Sequence, residues 1–380
     1  VKPPVYLDYN ATTPIDPQVA EAVWPFFHER FGNPSSAHVY GRQAAQAVHE
    51  ARGELARLVG AQAHEIVFTA CATEANNLAL LGAARAAPAG KRHLIISAIE
   101  HPAVTAPARE LERQGWRLSV VPVDAWGRID PERVAEAFAA DTALLSIMHA
   151  NNEIGTLQPI AAIAGQARAR GILVHTDAAQ SAGKVPLDVA DLGVDLLTLA
   201  GHKFYAPKGI GALYVRSGTP LSPILFGAEQ ERGVRPGTEN VPGIVAIGVA
   251  ARLARERLGS ARVKLAGLRD RLLMDLGQGI PGLIRNGHPV HCLPNTLHVS
   301  FPHVTGRAVL QAAEKDVAAS LGSACHSLEQ AVSGVMAAIG ADASRAAGAL
   351  RLSVGWPSTE AEIERAAATL ISAWWSLAGN

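Results

Sequence analysis

Lysine is scarce in this chain. Of its 34 basic residues only seven are lysine (positions 2, 91, 184, 203, 208, 264 and 315), so chemistry that needs an amine rather than a guanidinium has few candidates. Cysteine is scarcer: Cys71, Cys292 and Cys325 are odd in number and free of CxxC spacing, which argues against a disulfide framework and for a reducing compartment. Neither sign of charge is in excess, since 34 acidic residues offset the basic ones, and no dense basic run occurs. That balance argues against nucleic acid or an anionic membrane as the main partner and leaves a small molecule. No apolar stretch approaches the length of a membrane span, no signal peptide opens the sequence, and no internal repeat is found, so a cytoplasmic protein is expected.

What is present is core. The 380 residues are 48% hydrophobic, enough for one large or two medium domains. Between about residues 63 and 216, short apolar runs at 65–69, 92–97, 116–121, 143–150, 172–177, 194–199 and 210–215 read as strands. The longer runs between them, 73–87, 102–114, 131–139 and 159–170, read as helices, several opened by proline at the first turn. This alternation predicts an α/β fold, a mostly parallel sheet with helices on both faces and a ligand at the carboxyl ends of the strands. Helices are expected over 17–30, 38–59 and 241–277, the last broken near Gly259. Beyond about residue 282 the pattern becomes strand 296–301, helix 307–314, short strand 317–319, helix 327–339, strand 349–354 and helix 359–378, a smaller α+β unit.

Several residues that end strands have chemical uses. Asp177 and Lys203 each follow an apolar run. Pyridoxal phosphate needs a lysine for its Schiff base and an ionised carboxylate to keep its pyridine nitrogen protonated. Taken singly, each residue serves equally well as a surface or capping group. The turn Thr69-Ala70-Cys71-Ala72-Thr73-Glu74 joins a strand to a helix, so the Ala72 and Thr73 amides and the Thr73 hydroxyl suit a phosphate, or Thr73 is an ordinary cap. His101 would bring an imidazole to the same sheet edge, able to stack on a ring and move protons. The amides following the strands, among them Asn152 and Gln180, would hydrogen-bond the cofactor's phenolic oxygen, and Thr238 in Arg235-Pro236-Gly237-Thr238 would add a phosphate contact.

In the smaller unit, Cys325 lies in the small-residue segment Gly322-Ser323-Ala324-Cys325-His326-Ser327 and reads as a nucleophile or a buried structural cysteine. Arg351 is a guanidinium inside an apolar strand. It requires a carboxylate, from either a substrate or an internal salt bridge. His288, His291, Cys292 and His298 lack the second donor pair of a zinc site, so a loop is expected and no metal.

With these residues in place, the chain resembles the class V aminotransferase family, and within it the cysteine desulfurases and the similar selenocysteine lyases. The resemblance runs from Val5-Tyr6-Leu7-Asp8-Tyr9-Asn10-Ala11-Thr12-Thr13-Pro14 to Leu350-Arg351-Leu352-Ser353-Val354-Gly355. It also covers Gly32-Asn33-Pro34-Ser35-Ser36, Ala72-Thr73-Glu74, Asn151-Asn152-Glu153, Asp177-Ala178-Ala179-Gln180 and Gly201-His202-Lys203. It implies pyridoxal-phosphate fold type I, a large domain over 15–255 holding a seven-stranded sheet and a small domain from 1–14 and 256–380. It further implies that Lys203 carries the cofactor, Asp177 pairs with the pyridine nitrogen and His101 stacks on the ring. Asn152 and Gln180 would contact the ring; Ala72, Thr73, His202 and Thr238 would hold the phosphate, Thr238 reaching across a homodimer.

Asn33 and Arg351 would bind the substrate carboxylate, and Cys325 would take sulfur from L-cysteine as a persulfide for acceptor proteins that supply iron–sulfur clusters or thio-cofactors. Departures from the family pattern are Cys71, Ala200, Ala228 and Glu229. They keep open a degenerate binding or assembly partner, while Cys325-His326-Ser327 keeps open a selenocysteine lyase acting on L-selenocysteine. An aminotransferase or kynureninase-like hydrolase is a further enzymatic alternative on the same fold.

Overall fold

Strands rich in Val, Ile and Leu, buried on both faces, are what a sheet covered by helices requires. In the computed structural model, which describes residues 3–322 and 333–379, they are arranged in that way. Strand β1 is Val5–Tyr6, and β2 (Ile66–Thr69), β3 (His93–Ser97), β4 (Arg117–Val121), β5 (Thr142–Ser146), β6 (Leu173–Asp177), β7 (Leu196–Ala200) and β8 (Gly211–Val215) form one sheet. Its order is β2-β8-β7-β6-β5-β3-β4, parallel from β7 to β4, with β8 antiparallel to both neighbours. Alternate side chains feed two cores: Phe68, Ile95, Leu145, Val174 and Leu197 on one face, and Val67, Leu94, Ile96, Leu144 and Leu196 on the other.

Two buried histidines cross-link the sheet. His175 on β6 reaches Ser146 Oγ on β5 (2.8 Å) and Thr198 Oγ1 on β7 (3.0 Å). His93 on β3 reaches Thr142 Oγ1 on β5 (2.7 Å) and Ser119 Oγ on β4 (2.9 Å). Burial pushes both well below the ordinary imidazole range, to about 4.

The later chain adds β9 (Ile284–Asn286), β10 (Thr296–Ser300), β11 (Val317–Ala318) and β12 (Ala349–Ser353). Strands β12-β10-β9 make an antiparallel sheet, and β11 pairs with β1, so the start of the chain joins this part. A separate core of Val5, Leu7, Leu265, Leu297, Val299, Leu350, Leu352 and Leu370 lies under it.

The helix break expected near Gly259 is absent. Val241–Gly279 is one helix. Its first half buries Ile244, Ile247 and Ala251 in one core and its second half Leu265, Leu272 and Leu276 in the other. A glycine in a helix costs about 1 kcal/mol relative to alanine, too little to break a helix packed at both ends. The helix expected over 17–30 is split, Pro17–Val23 and Pro25–His28, because Pro25 has no amide hydrogen to continue the first segment. The run expected over 73–87 is helical from Ala72 to Ala86 but widens to a π turn at Leu78–Gly82. Of the helix expected over 327–339, Gly334–Ala338 is helical and residues 327–332 lie outside the described residues.

Candidate active site

Strand β6 ends on Asp177, and β7 ends on Ala200 before a tight turn, Gly201–Lys203. Parallel neighbours therefore bring the acid and the amine to one edge. A cavity of about 340 Å3 opens there, within the range of small-ligand sites. Ala72, Thr73, His101, Asn152, Asp177, Gln180, His202, Lys203 and Arg351, all singled out from sequence, line it.

The acid is fixed from both sides. Asn76 Nδ2 donates to Asp177 Oδ2 (2.7 Å) and the Ala179 amide donates to Oδ1 (2.9 Å). Lys203 Nζ donates to the carbonyls of Asn10 (2.5 Å) and Ala11 (2.8 Å). The adjacent His202 meets Thr12 Oγ1 through Nδ1 (3.2 Å), and burial, aided by Lys203, Lys208 and Lys184, pushes it down to about 4. At the other wall, the helix starting at Ala72 follows Cys71, whose backbone is fully extended and whose side chain makes no cap bond. Gly211 backs this turn: a Cβ there would lie 2.7 Å from the Cys71 carbonyl carbon and 3.0 Å from the Ala72 nitrogen. Only glycine permits that approach.

His101 caps the helix Pro102–Arg113, its Nδ1 accepting from the Ala103 amide (3.1 Å). Burial lowers its basicity, an effect opposed by Asp177 and reinforced by Lys203, so the ring is neutral with its proton on Nε2. Beside it, Glu100 accepts from Ser97 Oγ (2.5 Å) and from the Met148 amide (2.9 and 3.1 Å). Burial, with Asp177 adding to it against these hydrogen bonds, pushes Glu100 up to about 8.

Arg351, on β12, is 2% exposed. Its Nη2 pairs with Asp8 Oδ1 (2.7 Å) and its Nη1 donates to the carbonyls of Asn152 and Gly322 (each 3.1 Å). The internal salt bridge is therefore formed, while the guanidinium also lines the cavity.

Two expected residues are not brought to the cavity. Asn33 and Thr238 are exposed, and neither is among its lining residues. Cys325 lies outside the described residues. Ala200 lines the cavity, Cys71 stands at its rim, and Ala228 and Glu229 are exposed away from it. Among the described residues no cluster of three or more metal-ligating side chains is found; the rings of His288 and His291 meet at a tilt (4.7 Å between centres) and His298 is buried against Asn286 (2.9 Å).

Asn10, Asn76, Glu100 and Lys184 were missed as functional candidates. Asn10 lay inside a motif and Glu100 beside His101, so position alone was their signal; Asn76 and Lys184 sit one helical turn beyond Thr73 and Gln180.

The donor set fits pyridoxal phosphate. Two buried polar atoms, Asn76 Oδ1 and Arg351 Nε, have no partner among the described residues, and both residues line the cavity. Buried polar groups are rarely left so unless a ligand or water completes them. Amine, carboxylate, neutral imidazole and a helix N-terminus stand around one space of the right size.

The family Aminotransferase class-V matches residues 5–366. A protein of Anaeromyxobacter sp. called "Cysteine desulfurase IscS" is 47% identical over 367 residues, 96% of this chain and 91% of that protein. "Cysteine desulfurase 2" of Trichormus variabilis is 45% identical over 362 residues, covering 95% and 90% of the two chains. A solved structure described as a NifS-like protein superposes with a TM-score of 0.92 at 36% identity, covering 99% of this chain and all of that one.

Proposed function

From a chain that belongs to the class V aminotransferase family, with its pyridoxal-phosphate fold type I, we infer a pyridoxal-phosphate-dependent cysteine desulfurase that converts L-cysteine to L-alanine and passes the sulfur on. The carrying observation is that Lys203, Asp177, His101 and Arg351 line one cavity although they come from three strand ends and a separate sheet. The relatives' names supply the reaction, and this cavity supplies groups for each part of it.

When bound, pyridoxal phosphate supplies an aldehyde that condenses with amines and a protonated ring that accepts electron density from the substrate's α-carbon. Lys203 would hold the aldehyde and, once released from it, would be the base at the substrate's α-carbon. Asp177, held in place by the donors from Asn76 and Ala179, would pair with the pyridine nitrogen. Thr73, Ala72 and His202 would hold the phosphate, and Asn152 and Gln180 the ring oxygen. His101, with its proton on Nε2, would stack on the ring and could hand that proton to the substrate's Cβ. Arg351 takes the substrate carboxylate, sharing its charge with Asp8.

The substrate's Cβ–S bond breaks, its sulfur bonds to the Cys325 thiolate as a persulfide, and Cβ gains a proton to become the methyl group of alanine. Acceptor proteins then collect the sulfur in the cytoplasm. No helix among the described residues is long and apolar enough to cross a membrane.

A homodimer completes the reading. Trp24, Phe27, Phe31 and Tyr40 are exposed by 66%, 64%, 67% and 50%. Phe31 and Tyr40 stack on each other (5.5 Å) and Trp24 meets Phe27 edge-on (6.4 Å). An apolar patch of this kind is suited to a second copy, which would also bring an exposed Thr238 to the neighbour's phosphate.

The test is direct. Protein loaded with the cofactor should be yellow and bleach with borohydride. After labelled cysteine, mass spectrometry should find the cofactor adduct on Lys203 and labelled sulfur on Cys325. Colour without labelled sulfur would remove the desulfurase reading, and failure to bind the cofactor would support the degenerate binding partner.

A further inference from the structure

Lys184 is a buried amine with no carboxylate beside it among the described residues. An uncompensated buried ammonium is expensive, and a methionine of similar length would fill the space without that cost. Its amine is instead spent on one neighbour. Nζ donates to the Gln180 carbonyl (3.0 Å) and to Gln180 Oε1 (3.2 Å). The other end of the same amide, Nε2, donates to the Asn10 carbonyl (3.0 Å), which also receives Lys203 Nζ.

This fixes which way the Gln180 amide faces. Reversed, its oxygen would oppose the Asn10 carbonyl and its NH2 would oppose the Lys184 amine, two repulsive contacts in place of two bonds. Gln180 can then offer the cavity only its second Nε2 hydrogen, a donor. Burial, together with the charges of Lys203 and Arg351, pushes Lys184 down to about 7. Charged, the amine can only donate; neutral, it gains a lone pair, and the Asn10 carbonyl, which can only accept, still holds the orientation. An arginine could not shed its charge there.

Resting on the assignment of the cofactor to Lys203, we propose that Lys184 is a positioning residue: it holds the Gln180 amide so that a donor, and never an acceptor, meets the cofactor's phenolic oxygen. A donor at that oxygen stabilises the deprotonated imine and so lowers the pH at which the visible absorption band changes.

The experiment titrates that band in cofactor-loaded wild type, K184M, Q180L and the double variant. Removing the donor with Q180L should raise the midpoint by about one pH unit, the tenfold worth of one hydrogen bond. K184M leaves the Asn10 carbonyl as the remaining anchor of the amide, so it should raise the midpoint part of the way, and the double variant should match Q180L alone, since Lys184 acts through Gln180. A K184M midpoint equal to wild type, or shifts that add in the double variant, would overturn the proposal. Should K184M not fold, K184Q carries the test: it keeps a donor for Gln180, so its midpoint should stay with wild type, and a midpoint raised as in Q180L overturns the role. Absence of any visible band in the loaded wild type defeats the cofactor assignment itself, an outcome distinct from a normal band that ignores Lys184.

Discussion

Replacing Asn76 with leucine separates a residue held for the cofactor from one held for the fold. The side chain has two polar atoms with opposite accounts. Nδ2 donates to Asp177 Oδ2 at 2.7 Å, and Oδ1 is buried without a partner. A hydrogen bond to a charged group is worth about 1.5–3 kcal/mol, and a buried unsatisfied group costs about 1–3 kcal/mol. Leucine has the same number of side-chain heavy atoms and removes both; its bulkier methyl groups have the adjoining cavity to extend into. In the cofactor-free protein the two changes offset, and stability to urea should move by no more than about 1 kcal/mol. Cofactor binding receives no such offset, because what it draws on is the carboxylate that Asn76 steadies. Affinity measured by fluorescence titration should fall about 10- to 100-fold, the equivalent of that one charged hydrogen bond. A variant that loses about 2 kcal/mol or more of stability but binds the cofactor within a few-fold of wild type would refute the reasoning.

Glu231 tests how the segment preceding Thr238 is anchored. Its carboxylate takes both Nη atoms of Arg52 (2.7 Å each) and the Phe68 amide (3.1 Å), with the guanidinium 4.6 Å from the Phe68 ring centre. Glu231→Ala should cost about 3–5 kcal/mol in urea unfolding, since it strands a partly buried arginine, and a loss under 1 kcal/mol would contradict that. Acid should destabilise the fold through His149 and His175, which burial pushes to about 4, and His298, pushed to about 3. Their contribution is fully present above pH about 6.5 and lost as pH falls toward the folded values, about 2–3 kcal/mol apiece by pH 4.5. Glu100, raised to about 8, runs the other way, contributing stability below its unfolded value that is lost as pH rises through 8, but it is one group against three. The urea midpoint should therefore drop between pH 6.5 and 4.5, and a constant or rising midpoint would count against these burials.

The large sheet was legible because its strands are buried on both faces and read as unbroken apolar runs; each predicted run overlaps an observed strand. Direction was not legible in the same way. Nothing in Ile210-Gly211-Ala212-Leu213-Tyr214-Val215 announces that β8 runs against its neighbours, because a buried strand has the same composition in either sense. The break assigned to Gly259 failed for a related reason: local propensity is weak against packing, and the two cores that hold that helix are far apart in sequence. Asp177, Lys203 and His101 were legible since each ends a strand or lies in the turn that follows one. Short elements such as Ile284–Asn286 and Val189–Leu192 were not, although Asp188 caps the latter in the ordinary way.

Asn10 shows why the remainder of the site lies beyond local pattern. Its amide nitrogen donates to Thr296 Oγ1 (2.8 Å) and the Asn152 carbonyl (3.2 Å), and its side-chain oxygen accepts from Asn295 (2.9 Å). Its backbone NH donates to Ser353 Oγ (2.9 Å), and its carbonyl accepts from Lys203 and Gln180. One residue near the start of the chain thus ties the turns after β5, β6 and β7 and the strands β10 and β12. Two residues earlier, Asp8 neutralises Arg351. That pair answers the objection to a guanidinium in an apolar strand: Arg351 is compensated before any substrate arrives, so burying it carries no standing penalty of an isolated charge. Asp8, with 21% of its side chain exposed, can yield part of the arginine to an incoming carboxylate while water takes up its own charge. A fully buried partner could not, because releasing the arginine would strand the acid. The choice posed by the sequence, substrate partner or internal salt bridge, is therefore not exclusive, and the internal bridge is the condition that makes the substrate contact affordable.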